Sequence, residues 1–349
     1  MAPPVPILLL ICALCLPASA FAGEIVINAV GDIMLAGKGS VTFSRRGYDY
    51  PFAGTSSILK NGGITVGNLE APLARTGREF KEKKFRFKTG PQAAAALKRA
   101  GFSILTLANN HILDFGSSGL RETLRHLDRQ GILHSGAGET LAAARREALV
   151  TSNGVKIAFL AYSLTFPPDF YAGDGRAGTA PGYRPYYLED IARARGVADY
   201  VVVSFHWGEE KSILPKSYQV TAAHRAVDAG ADLVLGHHPH VLQGIERYKN
   251  AVIFYSLGNF AFGSLSSSSD RSVIARITLD NGVKEVELIP LNVLNSEVHF
   301  QPRLLTGDKG REVIERLKTA SQKMGTVISD NKGRYLVDLQ RAGQRLVRR

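Results

Sequence analysis

The sequence predicts an α/β fold, and three observations carry that expectation. Apolar runs of strand length alternate with helix-length amphipathic segments along most of the chain. Most of the apolar runs stop at a glycine or a polar residue, with Asp, Asn or His close behind. In open α/β sheets ligands bind beyond the carboxyl ends of the strands, so polar strand ends repeated along a chain imply one shared edge and one shared site.

Composition bounds the rest. The 349-residue chain is 45% apolar and 21% charged, which fits a globular protein and excludes long disorder. Residues 1–23 carry no charge, and Ile7 to Leu16 is an unbroken apolar run before small residues. This reads as a Sec-type export signal, residues 1–22, cut after Ala20 or Ala22. No Lys or Arg precedes the run, so an uncleaved N-terminal anchor is the alternative. Export implies a periplasmic or cell-envelope location. Both cysteines, Cys12 and Cys15, lie in this segment, so the mature chain has no disulfide and no thiolate ligand. A main domain is expected over 24–292, then a helical extension with a basic tail over 293–349.

Taken in order, Glu24 to Val30 is a strand that ends at Gly31-Asp32. Ile64 to Val66 is a second, followed by Gly67-Asn68-Leu69-Glu70, where Asn68 and Glu70 share a face if the chain stays extended. Residues 75–88 are basic and read as a solvated loop with Phe85 and Phe87 turned inward; cations that touch a phosphate or polymer are the other reading. Pro91 opens a helix that Gly101 closes. Phe102 to Ala108 is a strand leading to Asn109-Asn110-His111, and a helix follows to about Gln130. Leu149 to Thr151 and Val155 to Ala161 pair across Asn153-Gly154. Residues 163–185, rich in Pro, Gly and Tyr, form a long loop: a lid, or a surface excursion. Helix Tyr187–Gly196 precedes strand Tyr200–Phe205, which ends at His206-Trp207-Gly208. A helix over Gln219–Ala229 leads to Leu233–Leu235 and then to His237, His238 and His240. Val252 to Leu257 ends at Gly258-Asn259. Ser272–Leu279 and Val283–Ile289 form a hairpin, and Arg311–Met324 is an amphipathic helix.

Three of the nine histidines fall within four residues at 237–240, with Pro239 fixing the backbone. Imidazole delivered at a strand end suits a first-row metal. With no thiolate available, oxygen and nitrogen ligands select Mn, Fe or Zn. The net charge of +12 suits an anionic partner such as a polyanionic polymer, although a generally basic proteome explains it equally well. No nucleic-acid-binding module is visible, and export argues against that class of partner.

GDIML at 31–35, GNLEAPL at 67–73, LANNHILDFG at 107–116, HWGEE at 206–210, GHHPHVLQ at 236–243 and YSLGNF at 255–260 together resemble the motif series of the CapA family, the capsule-synthesis and poly-γ-glutamate biosynthesis proteins. That family is similar to the calcineurin-like metallophosphatases, which implies a four-layer αββα sandwich. It also implies a role in polymer synthesis or export at the cell envelope, poly-γ-glutamate as partner, and membrane-bound capsule synthesis or export proteins as further partners. Carried onto this chain, the resemblance makes Asp32, Glu70, Asn110, His206, His238 and His240 ligands of one or two divalent ions. It makes His111 the catalytic proton donor. Asn68, Trp207, Glu210 and Asn259 would line the substrate pocket. Met34 and Asn68 depart from the pattern where a histidine and a bridging aspartate are expected, which weakens one ion position. Metal-dependent hydrolysis of a phosphoester or γ-glutamyl bond, and polyanion binding without catalysis, therefore remain open.

Overall fold

In the computed structural model, which describes residues 23–183 and 185–340, two β-sheets lie face to face with helices on both outer sides. The first sheet runs, in spatial order, through strands Ile328–Asn331, Arg334–Val337, Val283–Asn292, Arg271–Leu279, Ile25–Met34, Ile64–Leu69, Ile104–Thr106 and Leu133–Ser135. Its 25–34, 64–69, 104–106 and 133–135 strands are parallel, and the rest of that path is antiparallel. The second sheet runs Ile245–Tyr248, Ala251–Phe254, Leu233–His237, Tyr200–His206, Val155–Ser163 and Ala148–Ser152, parallel except at its two edge strands.

Burial explains the layering. Ile27, Ala29 and Val66 of the first sheet meet Ile157, Val202, Leu235 and Phe254 of the second in one apolar core. The opposite face of the first sheet, with Val30 and Leu105, is covered by helices Ala93–Ala100 and Gly116–Arg129. The opposite face of the second, with Ala158, Val203 and Val234, is covered by helices Tyr186–Arg195 and Ser217–Asp228. A sheet buried on both faces needs continuous Val/Ile/Leu runs, and that is how these strands read. The result is the four-layer αββα sandwich.

Several elements differ from the sequence reading. The first strand continues to Met34, so Asp32 lies within it; the register against 64–69 shifts between Ala29 and Asp32. There Asp32 N donates to Gly258 O at 2.9 Å, and strand Asn259–Phe262 joins alongside. A Cβ on Gly31 would stand 2.0 Å from Gly258 O, so glycine is required at that crossing. The second strand likewise runs on to Leu69. Phe87 turns inward, but Phe85 is exposed. The 163–185 segment is held at several points: Phe170, Ala172 and Ala180 are buried, and Gly178–Thr179 pairs with Ala137–Gly138. The chain after 292 was expected to be helical. It forms helix Gly307–Gln322 but also two strands that widen the first sheet. The signal expected at 1–22 and the end of the basic tail, 341–349, lie outside the described residues.

Candidate metal centre

The strand ends converge. Register places Asp32 beside Asn68 on one side and Asn259 on the other, and His237 beside His206 in the facing sheet. The sheets meet where His237 Nδ1 lies 3.1 Å from Asp32 Oδ1. Asp32, Asn68, Glu70, His206 and His237 are buried to within 1% exposure. Desolvation on that scale is tolerated only if the charges are paired, hydrogen-bonded or neutralised by an ion.

Asn109 sets the orientation of the inner group. Its side-chain oxygen accepts from His111 N at 3.1 Å and Ile112 N at 3.0 Å, so its amide nitrogen must point the other way. That nitrogen donates to Leu69 O and to Asn68 Oδ1. The Asn68 amide nitrogen therefore faces the centre and donates to Asp32 Oδ1 and Glu70 Oε1, each at 2.9 Å. Asn68 was expected to line a substrate pocket. It is instead a buried tie between two carboxylates, and it turns no oxygen toward an ion. Asn259, also expected on the substrate side, accepts from His240 Nδ1 at 2.9 Å. Trp207 is not in the pocket at all: it is fully buried, stacked on Phe205 at 4.7 Å, and its indole N–H donates to Tyr255 O.

His238 and His240 both have left-handed backbone conformations, with φ of 94° and 59°. Non-glycine residues reach that region at a cost and tend to do so at functional sites. His238 N donates to Asp32 Oδ2, and His240 Nδ1 stands 3.1 Å from the same oxygen. Asn110 Oδ1 is 2.9 Å from His206 Nε2. Burial, reinforced by the neighbouring His240, pulls His238 down to about 3. Burial and His238 likewise hold His206 well below the usual imidazole range. Both rings are thus neutral and keep a lone pair. Burial beside Asp32 pushes Glu70 well above the carboxylate range. Burial also raises Asp32, but hydrogen bonds from His237 and His240 outweigh it and hold that carboxyl well below its ordinary value.

These residues fit a divalent cation. Glu70 Oε2 and His238 Nδ1 are buried with no hydrogen-bond partner, which is costly unless something else binds them. Ligand atoms of Asp32, Glu70 and His206 lie within 4.8 Å of one another, and those of Glu210, His238 and His240 do too. Nitrogen and carboxylate donors without sulfur suit a divalent cation rather than a soft-metal site.

Beside this group, His111 Nδ1 is 2.6 Å from Asp114 Oδ2, so the buried carboxylate takes the ring N–H and leaves Nε2 uncommitted among the described residues. Lys83 reaches in from the basic loop: Nζ is 2.6 Å from Asp114 Oδ1, 3.1 Å from His111 Nδ1, and donates to Asn110 O. Phe87 packs against the His111 ring at 4.9 Å. Four residues here carried no assigned role in the sequence reading: Asn109, Asp114, His237 and Lys83. Two of them offered a local signal: Asp114, three residues past His111, and His237, inside the histidine cluster.

A family model described as bacterial capsule synthesis protein PGA_cap matches residues 26–264, which contain every candidate residue above. A capsule biosynthesis protein CapA of Bacillus anthracis is 33% identical over 307 residues, 86% of this chain and 74% of that protein. A PGA biosynthesis protein CapA of Bacillus subtilis (strain 168) is 33% identical over 267 residues, 76% of this chain and 70% of that protein. Among solved structures, a 5'-nucleotidase precursor from Thermus thermophilus aligns with TM-score 0.47 and 12% identity over 86% of this chain and 59% of that one. A Haemophilus influenzae NAD nucleotidase aligns at 0.45 and 13%, over 85% and 63%. This chain therefore spans about six-tenths of either structure's length. On the extent of the family match and the identity to these relatives, the chain belongs to the bacterial capsule synthesis protein family.

Proposed function

We propose that the chain acts in the synthesis, transfer or export of an anionic polymer of the poly-γ-glutamate type at the cell envelope. One observation carries this reading: the family match encloses the whole candidate centre, and the relatives it resembles bear capsule and PGA biosynthesis names. The net charge of +12 suits such a polymer. Export through the signal expected at residues 1–22, and contact with membrane-bound capsule synthesis or export proteins, belong to the same proposal. No helix among the described residues is long and apolar enough to cross a membrane.

In this reading Asp32, Glu70, Asn110, His206, His238 and His240 hold a divalent cation. Bound there, it would supply Lewis-acid polarisation and a low-pKa water. Asn68 ties the Asp32 and Glu70 carboxylates through its amide nitrogen, and Asn259 orients His240. His111, held by Asp114, carries or accepts a proton at Nε2 beside the substrate.

A second reading, hydrolysis of a phosphoester or γ-glutamyl bond, is favoured by that His111–Asp114 pair: a ring oriented by a buried carboxylate is arranged for proton transfer. Polyanion binding without catalysis needs no such pair. Deleting the chain from its own cells and measuring envelope-associated polymer tests the first reading. Polymer of unchanged amount and length would refute it. Re-expressing His111→Ala and Asp114→Asn variants then separates the alternatives: restored polymer supports binding alone, and lost polymer with turnover of a γ-glutamyl or phosphoester probe by wild type supports hydrolysis.

A further inference from the structure

The large hydrophobic side chains left in water are not scattered. Among the described residues six are more than half exposed: Val41, Phe85, Phe166, Tyr183, Ile213 and Leu265, at 54–79%. All six lie in segments that leave the carboxyl end of a strand. Val41 is in helix Ser40–Arg46, after strand 25–34, and Phe85 is in the basic loop after strand 64–69. Phe166 and Tyr183 belong to the 163–185 segment after strand 155–163. Ile213 and Leu265 follow strands 200–206 and 259–262. Those strand ends form the edge that carries Asp32, Glu70, His206 and His240. Single exposed apolar residues are ordinary, but a set confined to one edge marks an interaction surface.

The segments behind these tips are fastened to the centre and to one another. Leu164 N donates to His206 O at 2.9 Å, Lys211 N to Pro239 O at 2.8 Å, and Gly263 N to Met34 O at 2.8 Å. Phe80 of the basic loop packs against Phe170 at 5.1 Å. Tyr183 packs against Tyr171 at 5.4 Å, whose hydroxyl donates to Thr165 O beside Phe166. Anchored loops with apolar tips turned to solvent present those tips to a partner at little ordering cost.

Charge says which partner. Loop 75–88 carries seven cations against two acids, whereas the 207–216 loop balances Glu209 and Glu210 with Lys211 and Lys216. Lys38, Lys81 and Lys84 are exposed and form no ion pair among the described residues, and Lys84 Nζ stands 5.4 Å from the centre of the Phe85 ring. Polyglutamate offers carboxylates but no apolar surface to take Phe166 or Ile213. Protein interfaces are depleted in lysine at their centres. Aromatic and aliphatic tips interleaved with lysine instead match a lipid surface, whose acyl boundary takes the tips and whose phosphates meet the ammonium groups. We infer that this edge docks on an anionic lipid surface through Val41, Phe85, Phe166, Tyr183, Ile213 and Leu265, so that the candidate metal centre faces the membrane. The contact lies on the bilayer rather than through it, since no helix among the described residues is long and apolar enough to cross.

This goes beyond the polymer function proposed above and does not depend on it. The test uses the full chain with its two cysteines removed, Cys12→Ser and Cys15→Ser. A single Phe85→Cys, Phe166→Cys or Val197→Cys then carries a polarity-sensitive fluorophore. Val197, at the amino end of strand 200–206 and 48% exposed, is the control on the opposite edge. With vesicles of phosphatidylglycerol and phosphatidylethanolamine, the labels at 85 and 166 should shift to the blue and the label at 197 should not. Vesicles of phosphatidylcholine alone should need at least about tenfold more lipid for the same shift, because several lysines lose their anionic head groups. A chain held only by its N-terminal apolar run would reach the vesicles without shifting either label, and that result would overturn the proposal. An equal shift at 197 would overturn it too, as would an equal shift at 85 and 166 with soluble polyglutamate, which would give the edge to the polymer. Polymer content after deletion of the chain bears on none of these shifts, so the two readings fail separately.

Discussion

Asn109 shows how much of the site depends on a residue with no chemistry of its own. Its amide receives two backbone N–H groups and gives to one carbonyl and one side chain, all out of water. Asn109→Ala leaves those groups unpaired and frees the Asn68 amide to turn over. We expect a loss of about 2–3 kcal/mol in urea denaturation, because each buried unsatisfied group costs on the order of 1–3 kcal/mol and the site relaxes only in part. A change below about 0.5 kcal/mol would mean that water replaces the lost partners. The sequence displayed Asn109 only as the first residue of Asn-Asn-His, indistinguishable from Asn110. Which asparagine faces the centre is decided by hydrogen bonds to residues 40 positions away, and periodicity carries no trace of them. His238 and His240 were legible because density of imidazole is itself a signal, whereas Lys83 was one cation in a basic run.

At the scale of elements, the strands and their order of appearance were readable from apolar runs, and their ends were not. Strand 25–34 runs past its expected end because Asn259–Phe262, more than 200 residues on, pairs with its last residues. A partner so distant leaves no local pattern. Helix 116–129 gives a sharper test of how elements are joined. Its Glu122 reaches across to the start of the basic loop and accepts from Arg75 N at 3.0 Å, Thr76 N at 3.2 Å and Thr76 Oγ1 at 2.9 Å. Burial pushes this carboxyl up, but the three hydrogen bonds outweigh it and hold it at about 2, against an ordinary value of 4.5. A depressed folded value contributes stability that is complete above about pH 4.5 and is lost as pH falls toward 2. Glu122→Gln should therefore be less stable than wild type at pH 7, and the gap should narrow across that window. Parallel pH dependence of the two urea midpoints would show that Glu122 is not so bound.

Across the whole molecule, two features follow from assembly rather than from any one segment. The first is closure of the large sheet by the C-terminal strands, which bury Ile328, Tyr335 and Val337 in the core between the sheets. In the sequence, residues 326–349 belong to the expected helical extension and basic tail over 293–349. Removing them should nonetheless cost about 5 kcal/mol, at about 1.5–3 kcal/mol per buried side chain, and lower the urea midpoint accordingly. An unchanged midpoint would assign these strands to the surface. The second feature is charge. Loop 75–88 places exposed Lys81 and Lys84 on either side of Lys83, whose own ammonium is held inside by Asp114. Lys83 thereby anchors this cationic loop beside Asp114 and His111. If the excess of +12 acts on a polyanion, affinity for polyglutamate should fall steeply with salt, since exposed charges are screened beyond about 8 Å at physiological ionic strength. Replacing Lys81 and Lys84 by serine should weaken that binding about threefold to tenfold at low salt, at roughly 0.2–1 kcal/mol per exposed contact, and leave Mn²⁺ binding unchanged. The difference should vanish near 1 M salt, where screening shortens to about 3 Å. A loss that persists there would point to shape or direct hydrogen bonding at the loop. Binding that ignores salt in both proteins would remove net charge from the account of how this chain meets its polymer.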